Sequence, residues 1–347
     1  MDYVKNHWYA VAIARDLPAG ELVKRRVLGM PVVLFRDEQG RPAAIEDRCP
    51  HRNVSLSLGC LVGSHVQCGY HGLVFDRTGR CVRMPNVEHP PDIMRVQAFP
   101  VVQKHGYVWL WAGDPALAAE EKIPDYSWQD DPAWVGELAW QETRCNYMLA
   151  LENVLDLSHA TYVHGETVGS PQVAQTVPEV VMGRDTVAIR RVFTDRQLPA
   201  FYQRATGWEQ ADRTQTITYF DVNCVRLEIT IAPVGNTDPG QVVRLMFGGP
   251  YTPSDDSSHL HFSSAYRNFR LDDAEMTQAL IGTIRKAYAE DVPFLVDQQR
   301  IIDEGRSQPN RLFAVDRGPV AAMRLLARRV HAELAGGQQR HATESIA

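Results

Sequence analysis

Two groups of residues in this chain have the types and spacing to do chemistry. The first is Cys49-Pro50-His51 followed, after sixteen intervening residues, by Cys68-Gly69-Tyr70-His71. Two thiols and two imidazoles in paired short steps form a chelate, and Pro50 and Gly69 keep each pair on a loop tip. A zinc-finger spacing puts both cysteines in one pair and both histidines in the other. Here each pair holds one of each. That suits a [2Fe-2S] centre in which two thiolates hold one iron and two imidazoles the other. A Cys2His2 zinc site stays open as the alternative. Cys60, Cys81, Cys145 and Cys224 have no histidine at chelating distance and read as packed thiols.

The second group lies between Leu149 and Gly165. Asn153, Asp156 and His159, at i, i+3 and i+6, share one side of a helix expected over about Tyr147–Tyr162. His164 follows five residues later, roughly 140° around an ideal helix. Both rings reach one metal only if the helix bends or unwinds between them, and Thr161, Val163 and Gly165 weaken that turn. Two imidazoles call for a carboxylate, the set used by non-heme Fe(II) oxygenases. Asp291 falls on an apolar stripe with Leu280, Ile284, Ala287, Leu295 and Ile302. A carboxylate there is costly without a cation. Pro293 is expected to disturb the helix beside it. Glu290 and Asp297 remain competing carboxylates, and a pair of core histidines remains the plainer reading of His159 and His164. His259 and His261 alternate on a strand and are given no role.

The stretch from Cys49-Pro50-His51-Arg52 to Cys68-Gly69-Tyr70-His71-Gly72 resembles the Rieske domain of ring-hydroxylating oxygenases. The surrounding residues are most similar to the vanillate O-demethylase and toluenesulfonate methyl-monooxygenase branch, from Asn6-His7-Trp8-Tyr9 to Glu290-Asp291. The resemblance implies a Rieske [2Fe-2S] cluster on Cys49, His51, Cys68 and His71, and a mononuclear Fe(II) on His159, His164 and Asp291. Asp156 and Asn153 would be catalytic-site residues, with Asp156 linking His159 to His71 of the next subunit in a head-to-tail homotrimer. It also implies O2-dependent hydroxylation or O-demethylation of a small aromatic substrate, foremost an aryl acid. Electrons would come from a separate NAD(P)H-dependent flavin and iron–sulfur reductase, since the chain has no GxGxxG motif. N-demethylation and ring dihydroxylation are alternatives within the family. A Rieske electron carrier and a zinc-stabilised binding protein are alternatives outside it.

These groups need two scaffolds. From about Trp8 to Val108, short β-rich runs alternate with turn clusters such as Asp37-Glu38-Gln39-Gly40, the pattern of a small all-β domain. A Pro-, Asp- and Trp-rich stretch, Asp114–Trp134, reads as a linker, and the expected division is 1–118 and 119–347. Beyond it, strands near 137–144, 186–193, 214–219, 225–231, 242–247 and 259–265 precede a long helix from about Asp273 to Glu304. The expected fold is therefore α+β: an all-β cluster domain, then a helix-grip-like catalytic domain with an antiparallel sheet. The substrate pocket should lie among the strands between Thr214 and Ala265 and the loop after His164. Tyr202, Trp208, Tyr219 and Phe220 offer aromatic surface, and Arg204 or Arg226 could hold an anionic group. Gly336–Ala347 reads as a disordered tail.

The 347 residues carry a formal charge of −6, with 44% hydrophobic and 22% charged side chains. No basic excess argues for nucleic acid, and no apolar run is long enough to span a membrane. Six cysteines are too sparse for a disulfide scaffold, so a cytoplasmic setting is expected.

Overall fold

The computed structural model describes residues 2–165 and 167–344. The chain divides into two compact units, one of Tyr3–Asp125 with Thr252–Asp256, the other of Tyr126–Tyr251 with the residues from Ser257 onward. Between residues 114 and 134 it runs through three short 3-10 turns, Pro115–Leu117, Glu120–Lys122 and Ser127–Gln129.

The first unit is all-β. Its strands are β1 (Trp8–Ile13), β2 (Val23–Val27), β3 (Met30–Arg36), β4 (Pro42–Glu46), β5 (Cys60–Val62), β6 (His65–Gln67), β7 (Val74–Phe75), β8 (Cys81–Arg83), β9 (Ala98–Phe99), β10 (Val101–Lys104) and β11 (Tyr107–Trp111). Among the described residues they form sheets ordered β1-β11-β10, β2-β3-β4-β9 and β5-β6-β7-β8. The paired runs WYAVAI and YVWLW are buried along their whole length, which is why they read as continuous apolar strands rather than alternating ones. Val33, Phe35, Ile45, Leu56, Val66 and Phe75 form a core that also holds Cys49 and Cys68. Apolar packing thus fixes the thiol side of both chelating loops.

The second unit begins with β12 (Val135–Thr143), α1 (Tyr147–Leu155), α2 (Ala160–Val163), α3 (Pro171–Gln175), β13 (Glu179–Met182) and β14 (Thr186–Gln197). There follow α4 (Ala200–Thr206), β15 (Gln210–Phe220), β16 (Cys224–Ala232), β17 (Val243–Asp255), β18 (Ser258–Arg267), α5 (Ala274–Asp303) and α6 (Arg317–Glu344). The strands make an antiparallel sheet ordered β12-β18-β17-β16-β15-β14-β13. In β15 burial alternates strictly, with Ala211, Arg213, Gln215, Ile217 and Tyr219 turned inward. Asp273 caps α5 by accepting from Met276 N at 2.8 Å. Leu280, Ile281 and Ile284 then pack against Phe201, Ile229 and Phe247, and each aliphatic side chain buried contributes about 1.5–3 kcal/mol. The fold is α+β, with the sheet gripping a long helix.

Several expectations change. The helix over Tyr147–Tyr162 is broken at Asp156: α1 stops at Leu155, a 3-10 turn takes Leu157–His159, and α2 follows. Asp156 is extended (φ −104°, ψ 92°), and its carboxylate accepts from Ser158 N at 2.9 Å. This local bond competes with helix continuation. A first break therefore precedes His159, and the chain also leaves the helix between the two histidines, α2 ending at Val163 with His164 non-helical (φ −111°, ψ 26°). On α5 the buried stripe ends at Gln299, and Ile302 is exposed. The helix runs unbroken through Pro293, which only withholds a donor from the preceding turn. Cys60 is exposed rather than packed, whereas Cys81, Cys145 and Cys224 are buried. Helix α6 carries Gly336–Glu344, so the expected tail is helical that far, and residues 345–347 lie outside the described residues. Among the described residues no helix is long and apolar enough to cross a membrane.

Candidate metal centres

The two chelating loops are built alike. Cys49 N–H donates to Val54 O (2.8 Å) and Cys68 N–H to Leu73 O (2.7 Å), five residues on in each case. Asn53 and Gly72, four residues on, donate back to Cys49 O (2.9 Å) and Cys68 O (3.0 Å). Both sit in the left-handed region, at φ 58° and 72°, where asparagine and glycine are tolerated. A Cβ on Gly69 would stand 2.7 Å from Leu58 O, so the second loop closes only with glycine there.

Cys49 and Cys68 are buried, while His51 and His71 lie on the surface with ring centroids 4.5 Å apart. Burial pushes the Cys49 thiol up to about 11; backbone N–H groups of His51 and Arg52 oppose this, and the neighbouring Cys68 adds to it. Thiols inward and imidazoles outward fit a [2Fe-2S] cluster whose histidine-bound iron faces outward.

In the second unit, His159, His164 and Asp291 turn one ligand atom each toward a common point. His159 Nε2 and His164 Nε2 are 3.3 Å apart, and Asp291 Oδ1 is 3.5 Å and 3.3 Å from them. Ligands held about 2.1 Å from one ion stand roughly 3–3.5 Å apart, so the three atoms fit a single metal. The other ring nitrogens are committed elsewhere. His164 Nδ1 donates to Glu290 Oε2 at 2.9 Å, and His159 Nδ1 to the Asp156 backbone carbonyl. Each Nε2 is thereby left as a lone pair for a cation. Without an ion, burial pulls His159 below the usual histidine range. At His164 burial is outweighed by the bonds and charges of Asp291 and Glu290, and the value rises.

Asn153 Nδ2 donates to Asp291 Oδ1 at 3.4 Å. The Asp156 carboxylate takes Ser158 N at 2.9 Å and Ser158 Oγ at 2.8 Å. Its link to His159 thus runs through the main chain, not through the carboxylate expected to make it.

The triad opens on a cavity between the helices and the sheet of the second unit. Most of its wall is aliphatic or aromatic, from Leu157 and Ile284 on the helical side to Val225, Leu227 and Phe247 on the sheet. Gly248 (φ 116°) admits the chain past β16, since a Cβ would meet Val225 O at 2.4 Å. Val168 and Val173, after His164, also contribute. Of the aromatic residues expected nearby, Tyr202 lines this cavity. Trp208 packs on the core, Tyr219 donates to Val222 O, and Phe220 lies against Tyr126 with the rings tilted 52°. Arg226 lies over the Phe220 ring and Arg204 is exposed, so neither lines it. His259 and His261 are buried, His259 donating to Cys145 O and His261 stacked on Tyr251. Gln215 was missed from the sequence, and Glu290, weighed there only as a competing carboxylate, was not given its place behind His164. The alternation Arg213-x-Gln215-x-Ile217 was the available signal for Gln215.

A cluster-binding β unit and an Fe(II)-type triad at an apolar cavity define an iron-dependent oxygenase. Comparison with known proteins agrees. The Rieske [2Fe-2S] domain family matches residues 7–100, and the vanillate O-demethylase oxygenase C-terminal domain family matches residues 143–332. The chain is 33% identical to the iron–sulfur subunit of the toluene-4-sulfonate monooxygenase system of Comamonas testosteroni, over 96% of this chain and 99% of that one. Dicamba monooxygenase bound to 3,6-dichlorosalicylic acid superposes with a TM-score of 0.89 at 30% identity, covering 96% of this chain and 100% of that one. Its form with non-heme iron and dicamba gives 0.82 at 30% identity, covering 96% and 99%. The chain belongs to the Rieske non-heme iron oxygenases of the vanillate O-demethylase type. It is the oxygenase component of a monooxygenase system, carries a Rieske cluster and a mononuclear iron, and draws electrons from a separate reductase.

Proposed function

We propose that this chain hydroxylates or O-demethylates a small aromatic substrate held in the cavity beside His159, His164 and Asp291. In this reading Cys49, His51, Cys68 and His71 hold the cluster in a domain spanning 1–118. His159, His164 and Asp291 hold the iron in a catalytic domain spanning 119–347. The observation that carries it is the opening of a two-histidine, one-carboxylate set onto a cavity walled mostly by aliphatic and aromatic side chains. Bound iron supplies O2 activation, and the cluster supplies electrons one at a time.

The chain's own residues do the rest. Glu290 and the Asp156 carbonyl fix the two imidazole tautomers, Asn153 steadies Asp291, and the aliphatic wall excludes water and orients the ring. Oxidation of a methoxy methyl would give a hemiacetal that releases formaldehyde, and oxidation of a ring methyl an alcohol. The reductase is inferred to be an NAD(P)H-dependent flavin and iron–sulfur protein, and the setting to be cytoplasmic. Formaldehyde release and O2 uptake with methoxy-, methyl- and N-methyl-aromatics test the reading. Turnover of none of them by iron-loaded protein with a competent reductase contradicts it.

A head-to-tail homotrimer, with the cluster loops of one subunit at Asp156 of the next, belongs to the same proposal. Two apolar exposed surfaces support it: Leu58 and Tyr70 beside His51 and His71, and Phe294, Leu312 and Phe313 around the hollow over Asp156 and His159. Co-expressing Cys68→Ala with His159→Ala tests it. Mixed assemblies should recover part of the activity that each variant lacks alone, and no recovery contradicts the arrangement.

A further inference from the structure

Beneath α5 the sheet carries a polar block where a core face is ordinarily apolar. In the β12–β18 ladder Gln141 stands directly opposite His261, and Thr143 opposite His259. Residues two apart on a strand face the same side, and these four side chains share a small cavity with Tyr251, Tyr288 and Asp291. His261 is 3% exposed, and its Nε2 is enclosed without a hydrogen-bond partner. Its ring stacks on Tyr251, with centroids 4.1 Å and planes 11° apart, and meets Tyr288 edge-on at 4.2 Å. The Tyr251 hydroxyl is hydrogen-bonded to that of Tyr288.

Burying these groups is costly unless each finds a partner. Burial holds His261 well below the usual histidine range, so the ring is neutral and one nitrogen keeps a lone pair. An unpartnered buried nitrogen in a polar cavity is the kind of site that ordered water fills. Tyr288 lies three residues before Asp291, on the same side of α5. Both residues also line the larger cavity at the triad, so Tyr288 forms part of the wall between the two. At the other end Gln141 is partly exposed, and among the described residues β12 is an end strand of the sheet. Solvent therefore reaches the block from the sheet edge.

We propose that His261 holds an ordered water in the small cavity, and that this water, Tyr251 and Tyr288 pass protons from the sheet edge to the triad. Reduction of O2 takes up one proton for each electron that the cluster supplies, whether the oxygen leaves as water or as peroxide. In each transfer Tyr288 gives its hydroxyl proton to an oxygen atom of the O2 being reduced and takes one from Tyr251. Tyr251 takes one from the water, which is recharged from solvent beside Gln141. The relay rests on the placing of the iron at His159, His164 and Asp291.

The test uses iron- and cluster-loaded protein and needs no substrate. A crystal structure should show a water about 3 Å from His261 Nε2. Fully reduced protein mixed with O2, followed by the cluster absorption, should reoxidise about twofold more slowly in D2O than in H2O. Tyr288→Phe and Tyr251→Phe should keep both metal centres and slow reoxidation by about tenfold or more. Both should also raise the D2O effect, since proton delivery then limits the rate; a purely structural role would leave that ratio where it was. Variants that reoxidise at the unaltered rate, that slow with the ratio unchanged, or that lose iron overturn the proposal. So do the absence of a water at His261 Nε2 and the absence of slowing in D2O, both read on unaltered protein even where a variant fails to fold. Reoxidation that persists in His159→Ala removes the iron from this triad, and the relay with it. Reoxidation lost there, with no D2O effect in the unaltered protein, sinks the relay alone.

Discussion

His164 is held from two sides by consecutive residues of one helix turn: Glu290 Oε2 accepts from Nδ1 at 2.9 Å, while Asp291 Oδ1 stands 3.3 Å from Nε2. The two neighbouring carboxylates therefore do different work. Asp291 faces the metal position, and Glu290, which also accepts from Thr167 Oγ1 at 3.0 Å, orients the imidazole from behind.

Removing the negative charge of Glu290 should loosen the metal without removing a ligand. Glu290→Gln is expected to weaken Fe(II) affinity on the order of 10–100-fold with the cluster spectrum intact, and Asp291→Ala to lose the mononuclear iron altogether. Chelator competition measures both. Equal iron affinity in Glu290→Gln and the unaltered protein would show that the bond does not tune the site.

Asp156 reaches His159 through its backbone carbonyl, so Asp156→Asn leaves that bond in place. The variant should bind both metals and still slow cluster oxidation in a single turnover, by about tenfold or more, because the carboxylate between Arg191 and Ser158 is lost. Loss of iron from Asp156→Asn would mean the carboxylate supports the metal site itself. An unchanged rate would remove Asp156 from the electron path.

How much of this was legible in the sequence depended on the range of the interaction. The chelating loops are local, four or five residues closed by their own hydrogen bonds, and the cysteine and histidine spacing carried them. Asp291 was legible through the 3.6-residue stripe of α5. The break at Asp156 was not, because a side-chain bond to Ser158 two residues on competed with a helical pattern that otherwise continues. Arg191 and Gln215 lie twenty-four positions apart in the numbering, and only the ladder register puts them opposite each other. No spacing rule reaches that far. The helical run to Glu344 also escaped notice, since its polar sequence carries no strong amphipathic signal.

Stability should fall on mild acidification. Burial pulls His259 down to about 4, against the pull of the Cys145 carbonyl, while in the unfolded chain it titrates near 6.5. The unfolded state therefore takes up the proton first. The contribution is complete above about pH 6.5 and is lost as pH drops toward 4, about 3 kcal/mol in all. His261, held well below its usual value by burial with His259 adding to the shift, acts in the same direction. Urea midpoints between pH 7.5 and 4 should show the loss, and His259→Gln should make the slope shallower. An unchanged slope would place the acid sensitivity elsewhere.

Cys49, His51, Cys68 and His71 on one side and His159, His164 and Asp291 on the other should hold two separate iron centres. Metal analysis of three proteins tests it: the unaltered chain, Cys68→Ala and His164→Ala. About three irons per chain are expected in the first. Cys68→Ala should keep about one and lose the red-brown cluster absorption, and His164→Ala should keep about two with that absorption intact. Zinc in place of iron at the cysteine and histidine loops, or a His164→Ala protein that loses the cluster, contradicts this assignment of the two ligand sets.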